Sequence, residues 1–517
     1  MPSLNWIGKD KVLNHHNEVP YRVLNKKYSY GDDDAGNMII HGDNLEALKS
    51  LLPKYEGKIK CIYIDPPYNT GNEGWIYNDN VKDPQIAKWL GEVVGKEGDD
   101  LSRHDKWLCM MYPRLRLLQK LLSPDGVIFV SIDDIEVSYL RLVMDEIFGK
   151  SKFIAQLIWK SRQNKDNRNI TNVSIDHEYV LCYGSKLRGV ARKTEQYKNP
   201  DNDPRGPWAS ANMAGLATAE ARPNLHYDLI NPQTGVNYGR PTKGWRYDRN
   251  TMARLIDEDR IIWPDSPNGR PRKKQFLADL EDEYTGYSSI IGENFYTRDG
   301  NKEQMEIWGE VVFDFPKNSG IIQELVEQAT DNNSLVLDSF AGSGTTAHAV
   351  LNANKADGGN RRFILIELGD YADSITAERV KRVIDGYGEG NKKVEGTGGG
   401  FSFYELGEQL LIDNENINPD VDNEIIREYI WYMETRKSYE RSNDNDNPYY
   451  LGLHNDTAYY FNYEKDRQTV LDNDFLKTIK TKADAYVIYA DTCNLSDTKM
   501  NKYNITFKKI PRDIARL

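Results

Sequence analysis

Short, continuous apolar runs alternate with stretches of helical spacing in two parts of this chain, and a long stretch with neither pattern separates them. Ile59–Ile64 and Gly126–Ile132 are runs of strand length with almost no polar break, the pattern of strands buried on both faces of a parallel sheet. Helical spacing marks Leu45–Leu52, which Asp43-Asn44 can cap, then Trp107–Leu122, then the amphipathic segment Ile135–Phe148. A long loop is expected over Asn69–Asp100, and further strands over Phe153–Trp159 and Glu178–Tyr183. Alternation returns over Lys317–Lys381 with strands Ser334–Asp338 and Arg362–Glu367, and a glycine turn at 396–400 precedes a last strand, Phe401–Leu406. An open α/β sheet follows from this order.

The pattern also divides the chain. Residues 1–35 have no clear period and read as an N-terminal arm packed on the main domain. Residues 36–162 form a first α/β part and 311–412 a second. Between them, 163–310 is irregular and rich in Asn, Pro, Gly, Arg and aromatics, with Trp208, Trp245 and Trp263. So long an irregular stretch reads as inserted recognition structure, apart from the strand near 178–183, which belongs to the core. The acidic stretch 413–423 reads as an uncompacted linker. Residues 424–517 form a small α+β module: an amphipathic helix, a Tyr-rich hairpin turning at Asn455-Asp456, and a strand Ala485–Tyr489.

Two strand tips carry the chemistry. Asp65-Pro66-Pro67-Tyr68 follows the Ile59–Ile64 strand, and its two prolines end the ladder and fix two φ angles. One carboxylate, one carbonyl and one aromatic ring are thereby held stiffly at the carboxyl edge of the sheet, where open α/β sheets bind ligands. Asp65 and the Pro66 carbonyl can accept both N–H groups of an amine whose flat ring stacks on Tyr68. Far downstream, the strand ending at Asp338 runs into Ser339-Phe340-Ala341-Gly342-Ser343-Gly344-Thr345-Thr346, a glycine turn opening a helix. Small residues let a ligand approach the backbone, and the helix presents free N–H groups. Thr345 stands where a triphosphate-binding loop needs lysine, and two glycines are too few for a dinucleotide loop. Glu367, at the tip of the next strand, is placed for ribose hydroxyls.

With these two segments in this order, the chain resembles the β group of DNA amino-methyltransferases, in particular the modification (Mod) subunit of type III restriction–modification systems. The likeness rests on Tyr63–Gly71, on Ile40–Leu48 and on Asp338–Thr346, and it covers roughly residues 35–405. It implies a Rossmann-like methyltransferase sheet, permuted so that the catalytic motif precedes the cofactor motif. The inserted stretch then becomes a target-recognition domain. S-adenosylmethionine is implied as cofactor, held by Asp338, Phe340, Ala341, Gly342, Gly344, Thr345, Thr346 and Glu367. Asp65, Pro66, Pro67 and Tyr68 become the catalytic motif acting on the exocyclic N6 amine of an adenine flipped out of double-stranded DNA. The N4 amine of cytosine uses the same geometry, although that class more often has Ser in place of Asp65, and a mainly DNA-recognising role in a nuclease complex is the non-enzymatic alternative. Asp43 matches an acidic position that binds base or cofactor, and a plain helix N-cap is the competing reading. Lys317 stands where the family has a Lys-Pro pair reaching the cofactor carboxylate, but Asn318 replaces the proline. Tyr179 or Tyr183 falls where the family packs a residue behind the flipped base, or is simply core. The likeness further implies a homodimer in the bacterial cytosol, on DNA, with a separate helicase–nuclease restriction subunit. Ile135–Phe148 and 424–517 are the surfaces open to those partners.

Composition adds three points. The net charge is −12, yet residues 151–275 hold 22 Lys and Arg against 13 Asp and Glu, a positive middle in an acidic chain. Such a pattern marks a nucleic-acid groove. Arg162, Arg168, Arg240, Arg246, Arg270 and Lys273 are candidate contacts to phosphates or bases. The four cysteines, Cys61, Cys109, Cys182 and Cys493, lie far apart without a CxxC pair, and the histidines His15, His16 and His104 have no metal-ligand spacing. No metal site is expected, and free thiols point to the cytosol. No apolar run reaches the length of a membrane span, and no charged-then-apolar leader is seen.

Overall fold

The computed structural model describes residues 4–69, 100–165, 171–412, 416–441 and 447–514, with only the backbone of 100–103. Arg168 and nearly all of the loop expected over Asn69–Asp100 lie outside these residues. The described chain divides into two compact units, residues 188–287 and the remainder.

The larger unit is built on a ten-stranded sheet. Its strands in chain order are β1 (Arg22–Gly31), β2 (Met38–His41), β3 (Ile59–Ile64), β4 (Leu122–Ile132), β5 (Phe153–Trp159), β6 (Glu178–Gly184), β7 (Ile290–Ile291), β8 (Leu335–Asp338), β9 (Arg362–Glu367) and β10 (Gly400–Gln409). In space they run β1-β10-β2-β9-β8-β3-β4-β6-β5-β7. The six strands from β10 to β4 are mutually parallel, and β1, β6 and β5 bring in antiparallel pairings. Ile59, Cys61, Ile62 and Ile64 on β3 and Val336 and Leu337 on β8 are fully buried, as their unbroken apolar runs require. The decisive pairing is β3 with β8, Val336 opposite Cys61 and Leu337 opposite Ile62. From β3 the chain proceeds to β4 on one side, and from β8 to β9 on the other. The two motifs therefore meet at the topological switch point of the sheet, the crevice where such sheets hold ligands.

Local sequence sets the helices. Asp43 caps Asn44–Tyr55 (α1) by accepting from Leu45 N at 2.8 Å and Glu46 N at 3.2 Å, so the N-cap reading of Asp43 is realised. Asp100–Leu121 (α2) buries Trp107, Leu115 and Leu118 under the sheet. Thr345–Asp357 (α3) starts from Gly344 at φ 81° and ends at Gly358 at φ 70°, both in the left-handed region that favours glycine. The amphipathic segment expected over Ile135–Phe148 is α-helical only over Val137–Met144, with a wider turn of helix at Asp145–Gly149. Its Val137, Leu140, Val143 and Met144 are core, while Ile135 and Leu142 face outward.

Three of the expected boundaries change. The N-terminal arm contributes β1, an edge strand paired along its length with β10. The stretch 413–423 is not an uncompacted linker. Asn416–Ile417 pairs back on Leu411–Ile412, the Asn418 side chain donates to Gln409 O at 2.9 Å, and Ile417 and Val421 are buried. The apolar pair outweighs the acidic composition around it. The self-contained unit spans 188–287 within the expected insert 163–310, while β6, β7 and the helix Thr297–Trp308 belong to the larger unit. In the tail, Ile426, Tyr429 and Ile430 of the helix Asn423–Thr435 join the main core. The Tyr-rich hairpin turns at Asn455 (φ 48°) and Asp456 (φ 57°), and a sheet of Tyr450–His454, Thr457–Phe461, Ala485–Ala490 and Ile505–Lys509 completes the module.

The smaller unit has its own core. Met213, Tyr227, Leu229, Trp245, Met252, Leu255 and Ile261 pack together beside a three-stranded sheet and the helix Arg249–Asp257. Trp245 is buried and its indole donates to Tyr227 O at 2.9 Å, whereas Trp208 and Trp263 are half-buried.

Candidate active site at the junction of two strands

The tip of β3 is fixed from below. Pro67 O accepts the Trp107 indole N–H at 2.7 Å, and Pro66 is buried. Asn69, at φ 64°, donates its side-chain amide to the buried Glu136, which also lies 2.6 Å from His104 Nδ1. With its base pinned, the motif presents Asp65 and Tyr68, both partly buried, at the sheet edge.

Lys317 lies across both side chains. Its ammonium donates to Asp65 Oδ1 at 3.0 Å and Oδ2 at 2.7 Å, and to the Tyr68 hydroxyl at 2.9 Å. It stands 4.9 Å from the centre of the Tyr68 ring and 5.9 Å from that of Trp159. Its backbone carbonyl accepts from Thr345 Oγ1 at 3.3 Å, so one residue touches both motifs. The side chain thus rests on the Asp65 carboxylate, whereas its place in the sequence led to the expectation of a reach to a cofactor carboxylate. Burial lowers the Lys317 pKa, but the Asp65 and Glu178 carboxylates outweigh it and the net shift is upward. Burial, then the Asp65 charge, raises the Tyr68 phenol well above its usual value.

Sequence reasoning missed Glu178. Its Oε2 accepts the Tyr68 hydroxyl at 3.0 Å and lies 3.4 Å from the Lys317 ammonium. β6 runs antiparallel to β4, so its first residue falls at the edge where the parallel strands end, a pairing that the apolar pattern of the strand alone does not show. Tyr183 is core, donating to Asp145 Oδ1 at 2.8 Å, and Tyr179 donates to Asp134 at 2.9 Å.

The tip of β8 is organised through its backbone. Asp338, buried, accepts from Phe340 N at 2.9 Å and Thr346 Oγ1 at 2.5 Å, closing the turn on itself. Burial is the main cause that pushes the Asp338 carboxyl up to about 7. Phe340 and Ala341 are buried, and Ala341 N donates to Ile366 O at 3.1 Å. Gly342 (φ 51°) donates its N–H to Glu367 Oε2 at 2.7 Å, and the other Glu367 oxygen accepts from Gly369 N at 2.8 Å. A Cβ on Gly344 would meet Thr376 O at 2.9 Å. Asn44, beside Asp43, donates to Ser339 O at 2.9 Å, and Arg114 approaches Asp43 at 3.5 Å.

Behind this loop lies a buried charge cluster that sequence reasoning also passed over. Arg379 is inaccessible to solvent, donates to Ser343 Oγ at 3.0 Å and Thr345 Oγ1 at 2.9 Å, and pairs with Glu303 at 2.6 Å. Burial pulls the neighbouring His348 down to about 4, so it is neutral near pH 7.

Among the basic candidates, Arg240, Arg246 and Arg270 are exposed on the smaller unit, and Arg246 Nε donates to Ala214 O at 3.1 Å. Lys273 is half-buried, 5.5 Å from the Tyr247 ring centre. Arg162 is exposed on the larger unit. Other basic residues of the smaller unit are structural: Arg205 pairs with Asp203, Lys274 with Asp201, Asp203 and Asp259, and Arg260 with Asp279. Among the described residues no group of three or more His, Cys, Asp or Glu could hold a metal ion, and no helix is long and apolar enough to cross a membrane.

A mixed α/β sheet with these two motifs at adjacent strand tips defines a class, and the chain belongs to it: it is a member of the DNA methylase family, whose model matches residues 59–378. It is 31% identical over 417 residues to the type III restriction-modification enzyme StyLTI Mod subunit of Salmonella typhimurium, a match spanning 74% of this chain and 62% of that protein. It is 30% identical over 442 residues to the EcoP15I Mod subunit of Escherichia coli, covering 74% and 66%. The type II methyltransferase M.KpnI of Klebsiella pneumoniae is 33% identical over 357 residues, 65% of this chain and 81% of its own. The match thus spans less than two thirds of the length of these two Mod subunits.

Proposed function

We propose that this protein transfers a methyl group from S-adenosylmethionine to the exocyclic N6 amine of an adenine flipped out of double-stranded DNA. In this reading it is the modification and specificity subunit of a type III-like restriction–modification system, in the permuted arrangement of the β group. The observation that carries the reading is the pairing of β3 with β8, which sets Asp65-Pro66-Pro67-Tyr68 beside the glycine loop, with Lys317 touching both. Family membership and the likeness to two Mod subunits support it.

The residues at the β8 tip fit the donor. Glycines at positive φ let it approach the backbone, and Glu367 at the end of β9 is the carboxylate assigned to its ribose, each oxygen having a further lone pair beside the backbone N–H it already accepts. S-adenosylmethionine, when bound, supplies a methyl group already activated on a sulfonium. The chain's own task is positioning and electrostatics. Asp65 and the Pro66 carbonyl accept the two amine N–H bonds, which draws the nitrogen toward a pyramidal form and frees its lone pair. Tyr68 supplies the stacking surface that the base loses on leaving the duplex. No covalent enzyme intermediate is required, and Cys61, Cys109 and Cys182 are buried thiols.

The partners in this reading are double-stranded DNA, held by exposed arginines of the smaller unit, a second copy of the chain, and a restriction subunit that cuts. Mass spectrometry of nucleosides from cells expressing the chain tests the reading, with Asp65→Ala as control and single-molecule sequencing to locate the site. N6-methyladenine at one motif, absent with Asp65→Ala, is expected. N4-methylcytosine instead would move the substrate to cytosine, and no modified base would overturn the reading.

A further inference from the structure

Two carboxylates, not one, face the Lys317 ammonium. Asp65 holds it at 2.7 Å and Glu178 at 3.4 Å, with Tyr68 between them, accepting from Lys317 at 2.9 Å and donating to Glu178 at 3.0 Å. The three ammonium protons have three partners: Asp65, Tyr68 and Glu178. All the side chains are largely buried, Lys317 being 12%, Glu178 18% and Asp65 24% exposed. With both carboxylates ionised, the cluster carries one net negative charge at the edge where the target amine must arrive.

This arrangement presents a difficulty for the chemistry. An ammonium lying across both Asp65 oxygens competes for the acceptor that one amine N–H needs there, and charge-assisted hydrogen bonds are the stronger ones. Glu178 offers a way out, since its carboxylate already lies 3.4 Å from the same ammonium within the cluster.

Resting on the methyl-transfer reading above, we propose that Glu178 is a positioning residue of this site, a second carboxylate that takes over the Lys317 ammonium when Asp65 turns to the target amine. It also keeps the cluster at one net negative charge as positive charge moves onto the amine nitrogen. In balanced form, the methyl–sulfur bond breaks, a methyl–nitrogen bond forms, and the amine nitrogen gains the charge that sulfur loses. One amine proton then leaves to solvent, and no oxidant or reductant takes part. Lys317 is in this account the stand-in that keeps the site satisfied before DNA arrives.

Glu178→Gln tests this, because it keeps an acceptor for Tyr68 and Lys317 while removing the charge. Single-turnover transfer at saturating cofactor should fall roughly 10- to 100-fold, with DNA and cofactor dissociation constants within about threefold of wild type, the signature of an interaction used only in the transition state. Glu178→Asp should stay within about tenfold of wild type, and it decides the matter should the glutamine variant fail to fold. The discriminating variant is Glu178→Gln combined with Lys317→Gln. With no ammonium left to compete for Asp65, it should recover at least about tenfold over Glu178→Gln alone, which a merely structural glutamate would not allow. A Glu178→Gln chain as fast as wild type, a Glu178→Asp chain as slow as the glutamine variant, or a double variant no faster than Glu178→Gln would overturn the inference. A wild-type chain that transfers no methyl group would instead overturn the reading beneath it.

Discussion

The two strand tips sit side by side on one sheet edge yet are built from opposite materials. The tip of β3 works through side chains: Asp65, Tyr68, Lys317 and Glu178 converge there in one charged, hydrogen-bonded cluster. The tip of β8 works through its backbone, and its acidic residues face inward to shape the loop, Asp338 closing the turn and Glu367 accepting the Gly342 N–H. In the proposed reading, a tip that must bond to a small planar amine needs specific acceptors. One that must admit a bulky donor needs space and a fixed backbone. The first should therefore be sensitive to single polar atoms, and the second to a single added Cβ.

Gly344→Asp is the most severe test of the second half of that statement. At φ 81° with Thr376 O 2.9 Å from any Cβ, the substitution strains the backbone and forces a backbone carbonyl to shift. Calorimetry should detect no cofactor binding, and unchanged affinity would separate this loop from the cofactor. On the other tip, Tyr68→Ala removes a stacking surface worth about 1–3 kcal/mol per base and takes one of its three partners from the Lys317 ammonium. Methyl transfer should fall by about tenfold or more while the dissociation constant for the cofactor holds, as measured by single-turnover kinetics against titration.

Arg379→Met probes what lies behind the glycine loop. It takes from the buried Glu303 its guanidinium, leaving Ser319 and His348 beside it, and from Ser343 and Thr345 their charged donor. Thermal or urea unfolding should show a loss of about 3–5 kcal/mol, the cost of breaking a buried pair from one side. Losses under about 1 kcal/mol would mean that the cluster does not hold the loop.

These two tips were legible before any coordinates because each motif is local: a strand, a stop and a handful of residues. The buried strands were legible for the same reason, as was the hairpin at Asn455-Asp456, whose residues tolerate positive φ. What escaped depends on distant pairings. Glu178 reaches the site because β6 runs antiparallel beside β4, and Lys317 meets Asp65 across 252 positions of sequence. The strand β1 escaped because its edge position leaves Lys26 and Lys27 exposed and breaks any apolar period. Ile417 and Val421 were hidden among acidic neighbours whose count suggested a linker.

The smaller unit sharpens the contrast, since its basic residues divide between fold and surface. Arg205 and Lys274 are tied to Asp203, whereas Arg240 and Arg270 are exposed. Replacing Arg240 or Arg270 by Ala should weaken DNA binding several-fold and, where the contact is a phosphate, reduce the slope of log affinity against log salt by about 1. Methyl transfer at saturating DNA should be unchanged. A slope unaltered by either substitution would move the DNA contact elsewhere.

Asp338 gives the smallest effect and one with a definite sign. Its folded-state carboxyl titrates near 7, above the ordinary carboxylate range, chiefly because it is buried. The folded chain therefore holds a proton that the unfolded chain has released, and this group's contribution to stability is lost as pH rises from about 4 through 7. Asp338→Asn removes that dependence. Melting curves should show the variant gaining on wild type at pH 8 relative to pH 5, and a gain at pH 5 only would reverse the assignment.

The central claim is that Asp65, set beside the cofactor loop by the pairing of β3 with β8, is the acceptor on which methyl transfer to DNA depends. Transfer of labelled methyl from S-adenosylmethionine to duplex DNA by purified wild type and Asp65→Ala, with DNA and cofactor affinities measured on the same samples, tests it directly. The account predicts a loss of transfer of about a thousandfold or more in Asp65→Ala with both affinities within about threefold of wild type. Transfer by Asp65→Ala at the wild-type rate would contradict it.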